Sequence, residues 1–148
     1  MRVIIQRVSH ASVAIDGHVF SQIGTGLLVL LGIGIGDTLA DATYLFDKLT
    51  TLRIFPDEKG RFDRSVVDIS GELLVVSQFT LFANCSKGRR PSFEMAAPPA
   101  EAEALYNDII ADWRQQIPNL ATGQFGANMA VSLTNSGPVT LTLDSKIR

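Results

Sequence analysis

A nearly unbroken aliphatic run at Leu27–Ile33 constrains the fold most strongly. A strand that faces solvent on one side alternates apolar and polar residues, whereas a strand covered on both faces reads as a continuous apolar stretch. The run therefore predicts a strand in the middle of a layered domain. Extended to Ile35, it reaches only about half of the ~20 residues that a membrane-spanning helix needs, so we predict no membrane segment.

The residues before this run predict further strands. Arg2–Val8 mixes β-branched residues with two arginines. Asp16-Gly17 follows Ser12–Ile15 and precedes His18–Ile23. Asp-Gly between apolar runs is typical of a hairpin, because a type I′ turn needs positive φ at both central residues. The chain is thus expected to begin with antiparallel strands.

Two later stretches change to helical spacing, with apolar residues three or four positions apart. The first follows Asp37, a candidate N-cap, and its apolar positions are Ala42, Leu45, Phe46, Leu49 and Leu52. The second follows Pro98-Pro99, since proline suits the first helical position, and ends before Pro118-Asn119. Its apolar stripe consists of Ala102, Leu105, Tyr106, Ile109, Ile110 and Trp113.

The remaining segments predict short strands and loops. Arg53–Phe55 is a short extended piece, and Glu72–Leu81 is a longer strand. Near the end of the chain, Ala130–Leu133 and Val139–Leu143 read as two strands joined by residues 135–138. This order of elements predicts an α+β fold, with one mixed, largely antiparallel, barrel-like sheet and two main helices. A length of 148 residues suits one domain over 1–148.

Composition narrows the class of protein. Hydrophobic residues make up 46% and charged residues 19%, which excludes a disordered chain. Cys85 is the single cysteine, so no intrachain disulfide forms, and the first residues lack a signal-peptide pattern. We therefore expect a cytoplasmic protein. The 13 basic and 15 acidic residues argue against a general nucleic-acid coat protein, although they allow a local basic patch.

Common catalytic constellations are missing from the sequence. The glycines between Gly24 and Gly36 form no dinucleotide-binding or phosphate-binding motif in any register, and they suit turns and close strand packing instead. His10, His18 and Cys85 are too few and too scattered for a metal site. No G-x-S-x-G elbow is present. We therefore predict neither a metal nor a cofactor.

Three polar segments each have a structural and a functional interpretation. Ser77, Gln78 and Thr80 end an apolar strand, either as solvated groups or as donors to a ligand. Asn135–Thr140 is either an ordinary hairpin turn or, if its Gly-Pro bond is cis, a rigid backbone wall. Lys87–Pro91 is either a solvated loop or a phosphate-binding lip.

Five motifs, in order over the whole chain, resemble the D-aminoacyl-tRNA deacylase family, also called D-tyrosyl-tRNA deacylase. They are Met1–Val8, Ser77–Leu81, Lys87-Gly88 with Arg90-Pro91, Thr122–Ala127, and Gly137–Thr140 with Leu143–Ser145. Two residues depart from the pattern. Ser136 replaces a more usual aspartate and is expected to change hydrogen bonding in its turn, and Arg89 adds a charge.

The resemblance implies a homodimer that hydrolyses the ester between a D-amino acid and the 3′ end of tRNA. It implies that Met129 lies near the site. It further implies that the Gly137-Pro138 bond is cis, that each subunit inserts this pair into its partner's site, and that Arg7 holds the pair in place. The implied catalytic segment consists of Ser77, Gln78, Phe79 and Thr80.

Physical chemistry suggests how such a site would act. Backbone N–H groups near Phe79 and Thr80 would stabilise the oxyanion of the attacked ester. Thr80 would not be acylated, because the sequence supplies no base for it, and the substrate's own 2′-OH would help to activate or orient water. The phosphate lip would consist of Lys87, Arg89 and Arg90.

The same interpretation explains selection for handedness. Rigid carbonyl groups of Gly137 and Pro138 would collide with the side chain of an L-residue and admit a D-residue. Glycine has no side chain to collide, so glycyl-tRNA mischarged on tRNA(Ala) is a further expected substrate.

Three alternatives stay open at the level of sequence. One is a sibling deacylase that edits a mischarged L-amino acid and is associated with a trans Gly-Pro bond, although Phe79 favours the D-specific form. Another is a non-catalytic RNA-binding dimer module. The third is a general esterase that acts through Thr80.

Overall fold

The computed structural model describes residues 1–147 as eight strands, two α-helices and a short 3₁₀ helix. The strands are β1 (Arg2–Ile15), β2 (His18–Ile23), β3 (Gly26–Gly32), β4 (Phe55–Pro56), β5 (Phe62–Arg64), β6 (Glu72–Ser77), β7 (Ala121–Thr122) and β8 (Ala130–Asp144). The helices are α1 (Leu39–Thr51) and α2 (Pro99–Gln116), and the 3₁₀ helix is Phe79–Phe82. None of these helices has the length and apolar character to cross a membrane.

Six strands form one mixed sheet in the order β2-β1-β3-β6-β7, with β8 on the other edge of β1. β1 is antiparallel to β2, β3 and β8, while β6 is parallel to both β3 and β7. The hydroxyl of Ser21 on β2 donates to the carbonyl of Thr122 on β7 (2.6 Å), which brings the two ends of the sheet together. The predicted α+β class with a largely antiparallel, barrel-like sheet is therefore confirmed.

The aliphatic run forms β3, and both of its faces are buried. Leu27, Val29 and Leu31 pack into the larger hydrophobic cluster, which contains the apolar stripes of α1 and α2. Leu28 packs on the opposite face, into a second cluster inside the curved sheet. The close approach of β3 to β6 depends on Gly26, because a Cβ there would lie 1.9 Å from the carbonyl oxygen of Glu72.

The start of α1 differs from the prediction by one residue. Thr38, not Asp37, is the N-cap, and its backbone N–H donates to the Asp41 carboxylate (2.9 Å). Asp37 accepts instead from the backbone N–H of Gly34 (2.7 Å) and pairs with the amino group of Met1 (2.6 Å). The prediction of Asp37 as the N-cap was therefore wrong, because its carboxylate binds partners that lie outside the helix.

Asp41 belongs to a polar cluster that fastens the last described residues to α1. Burial alone would raise the pKa of the Asp41 carboxyl, but hydrogen bonds from Lys146 and Ser145 outweigh burial and hold the pKa well below its usual range. The Asp41 carboxyl therefore stays ionised at neutral pH and holds Ser145 and Lys146 against the start of α1.

Three predicted boundaries were wrong for a common reason. Residues 2–15 form one strand rather than two, because β1 has partners along its whole length. The strand predicted over Glu72–Leu81 ends at Ser77, where its partner β3 ends. The two strands predicted around residues 135–138 are a single strand, β8, and no hairpin turn separates them. Pairing with a neighbour, which local sequence does not encode, set each boundary.

Candidate active site

A pocket of about 820 Å³ lies where the parallel strands β3 and β6 end. Leu31 and Val76 line it from these strands, Pro98 lines it from the start of α2, and Met129 lines it from the residue before β8. Parallel strands place their carboxyl ends at one edge, which is where open α/β sheets bind ligands. A largely apolar concavity with polar groups on one side is a candidate active site.

Three of the four residues of the segment Ser77–Thr80 lie at this pocket. β6 ends at Ser77, which pairs with Leu31, and the backbone N–H of Gln78 donates to the Leu31 carbonyl (2.8 Å). The chain then turns into the 3₁₀ helix. Ser77, Gln78 and Phe79 line the pocket. Thr80 does not line it, but its hydroxyl oxygen accepts a hydrogen bond from Gln78 Nε2 (2.5 Å).

The backbone N–H groups of Phe79 and Thr80 are free donors beside the pocket. They open the 3₁₀ helix, and the first N–H groups of any helix have no acceptor within it. Across residues 1–147, no hydrogen bond uses either group. Both groups can therefore donate to a substrate oxygen without the loss of an existing hydrogen bond.

Thr80 has no basic partner in this arrangement. Its oxygen accepts from the Gln78 amide, and that NH₂ group is a donor that cannot take up a proton. His10 contacts Thr134 (3.3 Å), and His18 contacts the carbonyl of Asp16 (2.9 Å), so both histidines lie away from the pocket. The described part of the chain contains no group of three or more potential metal ligands.

An aromatic pair forms one side of the pocket. The rings of Phe79 and Phe93 meet edge to face, with centroids 4.9 Å apart, and Phe79 remains 58% exposed. Phe93 was not among the residues predicted for the site. One feature of the sequence could have indicated it. Phe93 directly follows a polar, basic segment, and a large aromatic side chain in such an exposed stretch suggests a contact or a binding role.

Phe125 and Met129 also line this pocket, and Met129 is the residue that the family resemblance places near the site. A Cβ at Gly123 would lie 2.5 Å from the Met129 sulfur, so a larger residue there would make the Met129 side chain move. Tyr106 packs against Phe125 (5.8 Å) and donates its hydroxyl to the Val75 carbonyl (2.9 Å). Burial raises the pKa of Tyr106 well above its usual range, so it stays a neutral donor.

Gly137 and Pro138 lie outside the lining of this pocket. Both residues are exposed, and the peptide bond between them is cis. They belong to residues 136–139, which we call the Gly-Pro loop. On β1, Gln6 pairs with Thr140 and Val8 pairs with Asn135, so the four loop residues stand opposite one residue. The loop is therefore a large bulge in β8 that protrudes from the chain.

Arg7 is the residue opposite this bulge, and it is buried. Its Nε donates to the Ser136 carbonyl (2.8 Å), and its Nη1 donates to the Ile54 carbonyl (2.5 Å). Its guanidinium group also lies 5.4 Å from the Phe62 ring centroid. Arg7 thus joins the Gly-Pro loop to the residues around β4 and β5. Since it contacts the backbone of Ser136, this bond does not depend on the serine side chain.

The basic residues form a separate surface loop. Residues 84–92, which we call the basic loop, are closed by two backbone hydrogen bonds between Asn84 and Ser92 (2.8 and 3.0 Å). One end of the basic loop follows the 3₁₀ helix, and the other leads directly to Phe93 at the pocket. Its cationic side chains are exposed and form no ion pair within residues 1–147; they are Lys87, Arg89 and Arg90.

Comparison with known proteins identifies the class. The model of the D-Tyr-tRNA(Tyr) deacylase family, a family of ester hydrolases, matches residues 4–144. A D-aminoacyl-tRNA deacylase from Roseiflexus castenholzii is 55% identical over 99% of this chain and 94% of its own length. A D-aminoacyl-tRNA deacylase from Clostridium acetobutylicum is 51% identical over 99% of this chain and 98% of its own length.

One solved structure shares the fold of this chain and much of its sequence. The structure called "c-Myc DNA Unwinding Element Binding Protein" has a TM-score of 0.92 and 41% identity, and it covers 97% of this chain and 98% of that chain. The chain therefore belongs to the D-Tyr-tRNA(Tyr) deacylase family, and the resemblance read from its five motifs is confirmed.

Proposed function

We propose that this protein hydrolyses the ester of D-aminoacyl-tRNA, releasing the free D-amino acid and tRNA, and that residues 1–148 act as one deacylase domain in the cytoplasm. Family membership supports the activity. The observation that carries the proposal is the pocket at the end of β6, where Ser77, Gln78 and Phe79 line an apolar cavity beside two free N–H groups.

The mechanism follows from the groups that are present. Attack on the ester carbonyl builds negative charge on its oxygen, and the N–H groups of Phe79 and Thr80 stabilise that charge. The hydroxyl of Thr80 has no base to remove its proton, so water is the attacking group. The 2′-OH of the terminal adenosine, next to the ester, orients this water. Positioning alone contributes up to about 7–11 kcal/mol.

The Gly-Pro loop supplies the selection for handedness from a second subunit. In one chain the loop protrudes, and its tip does not reach its own pocket. In a homodimer, the loop of each subunit enters the pocket of the other. The carbonyls of Gly137 and Pro138 then occupy the space that the side chain of an L-residue needs. D-residues of varied size and glycine fit, so glycyl-tRNA mischarged on tRNA(Ala) is a second substrate.

Two further residues support this arrangement. Arg7, buried between the loop and the Ile54 carbonyl, fixes the direction in which the loop leaves the sheet. Met129, which also lines the pocket, contacts the bound aminoacyl group through its polarisable side chain. Both roles are positional, since neither side chain takes part in proton transfer.

The basic loop binds the backbone of the tRNA. Lys87, Arg89 and Arg90 carry three unpaired positive charges on the loop that leads to Phe93 at the pocket, while the whole chain has a net charge of −2. Such a local patch directs a polyanion to one face of an otherwise weakly acidic protein. Contacts to phosphate fix orientation without reading sequence, which suits an enzyme that acts on many tRNAs.

A comparison of esters tests the proposal. The purified protein is incubated with D-tyrosyl-tRNA, L-tyrosyl-tRNA and glycyl-tRNA(Ala), each with a labelled amino acid. We expect release from the D and glycyl esters and only the spontaneous rate from the L ester. The matched control is Ala127→Trp, which fills the pocket without changing the backbone donors. Release of the L ester alone would favour the sibling editing enzyme.

Non-catalytic nucleic-acid binding is the second candidate function. The observations that favour it are the basic loop and the DNA-binding name of the solved structure described above. In that case none of the three esters would be released faster than in buffer, although tRNA would still bind.

A further inference from the structure

Asn135 stands at the neck of the Gly-Pro loop, where β8 leaves its pairing with β1. Its Oδ1 accepts from the backbone N–H of Val139 (2.7 Å), and its Nδ2 donates to the Val139 carbonyl (3.1 Å). The same Nδ2 donates to Thr140 Oγ1 (2.9 Å). One partly buried side chain therefore connects the residue before the loop to the two residues at its far end.

These contacts imitate a strand pair. In a hydrogen-bonded antiparallel pair, two residues exchange both of their N–H···O=C bonds. The bulge removes Val139 from such an exchange with β1, because β1 offers only Arg7 opposite four loop residues. The Asn135 amide makes the exchange in place of the missing partner, and so keeps both polar groups of Val139 satisfied although this residue is buried.

An amide is the side chain that this position requires. The exchange needs an acceptor and a donor that are bonded to the same carbon, as Oδ1 and Nδ2 of asparagine are. An ionised aspartate offers two acceptors, and one of them would face the Val139 carbonyl. A hydroxyl group of serine or threonine is a single atom that cannot reach both groups.

We propose that Asn135 is a positioning residue that holds the Gly-Pro loop in the shape that separates D-esters from L-esters. This inference rests on the proposed function. Arg7 fixes the near limb of the loop at Ser136, and Asn135 fixes the far limb at Val139. The loop can exclude one enantiomer only if it stays rigid when the L side chain presses against it. Gly137 and Pro138, the residues that would meet this side chain, lie between the two contacts.

The test compares Asn135→Asp with the wild type on D-tyrosyl-tRNA and L-tyrosyl-tRNA at pH 8. We expect the ratio of kcat/KM for the D ester to that for the L ester to fall at least about tenfold. The fall comes from faster hydrolysis of the L ester, with the D ester changed by less than about threefold. Asn107→Asp, the same change on the exposed side of α2, serves as control and keeps the wild-type ratio.

A pH profile separates positioning from a general loss of structure. A protonated carboxyl carries one O–H donor and one carbonyl acceptor, and thus resembles the amide. As the pH falls from 8 to 5, the ratio of Asn135→Asp should rise by about threefold or more, because the Val139 carbonyl beside the carboxyl favours its protonated form. The wild-type ratio should not rise over this range.

Each outcome has a defined meaning. Equal loss of activity on both esters, or an unchanged ratio, overturns the role of Asn135 while the deacylase proposal stands. If the wild type itself fails to discriminate, the proposed function and this inference both fail. If Asn135→Asp does not fold, Thr140→Val decides. This variant removes one of the three bonds and should lower the ratio about threefold, and an unchanged ratio contradicts the proposal.

Discussion

Two polar segments interrupt apolar strands in this chain, and they end in different structures. Ser77–Thr80 closes β6 and lines the pocket, whereas Asn135–Thr140 is extruded from β8 as a bulge, after which pairing resumes. In sequence the two look alike, since each is a short polar stretch beside aliphatic residues. Their neighbours in the sheet account for the difference.

The partner of β6 stops pairing where the polar segment begins, whereas the partner of β8 pairs with it again after the polar segment. β3 stops pairing with β6 at Leu31, so nothing holds the chain extended beyond Ser77 and it turns into the 3₁₀ helix. β1 is 14 residues long and pairs with β8 on both sides of the bulge. One segment thus lines a pocket within its own chain, and the other forms an exposed bulge outside that pocket.

The largest change in rate should come from removal of a group on the substrate itself. If the 2′-OH orients the attacking water, D-tyrosyl-tRNA with a 2′-deoxy terminal adenosine should be hydrolysed about a hundredfold more slowly, which is the range of positioned acid–base groups. Single-turnover kinetics with both tRNAs at saturation measure this step. Equal rates for the two tRNAs would contradict assistance by the 2′-OH and assign activation to the protein.

The protrusion should fail in a different way. Gly137 has φ of 139°, and a Cβ there would lie 2.9 Å from Arg7 Nη2, so Gly137→Ala strains and displaces the loop. We expect hydrolysis of the L ester to rise about tenfold or more, while the D ester is still cleaved. Gly60→Ala is the control, since it has positive φ but no atom near its Cβ. Loss of D activity without gain of L activity would contradict the comparison.

Thr80 tests whether the pocket segment acts through its backbone or through a side chain. If only the N–H of residue 80 acts, Thr80→Ala keeps that group and loses one hydrogen bond with Gln78, so kcat should fall by less than about tenfold. A nucleophile removed in this way would cost about a thousandfold or more. Burst kinetics that reveal an acyl-enzyme would also contradict the account.

The smallest effect should come from the basic loop, which is outside both segments. Removal of positive charge by Lys87→Ala and Arg90→Ala should make tRNA affinity less dependent on salt, and the slope should change by about 0.7–0.9 for each phosphate that the variant no longer binds. Fluorescence titrations over a range of salt concentrations measure this slope. Lys59→Ala, in the exposed turn between β4 and β5, should leave it unchanged. If the tRNA affinity of the wild type does not change with salt concentration, the proposed binding of phosphate by the basic loop is wrong.

The sequence predicted the fold class because this class depends on local residue types, whereas the family resemblance singled out Ser77–Thr80, of which Ser77, Gln78 and Phe79 line the pocket. The aliphatic run predicted a strand buried on both faces, and the apolar stripes predicted two helices. The length over which two strands pair cannot be predicted from local sequence. For this reason the sequence predicted a turn between two strands where the structure has a bulge within β8. Asn135 was missed for the same reason, since its partner Val139 is identified only once the loop is folded.

The entry of the loop into a partner's pocket is the central claim, and co-expression of two variants tests it directly. Gly137→Ala keeps its pocket and has a damaged loop, while Ala127→Trp keeps its loop and has a blocked pocket. With Ala127→Trp in about tenfold excess, nearly every Gly137→Ala chain pairs with it in a twofold dimer. We predict that hydrolysis of the L ester then falls toward the wild-type level, because an intact loop enters the open pocket. Unchanged hydrolysis of the L ester in such mixed dimers would show that each loop serves its own chain, and would contradict the account.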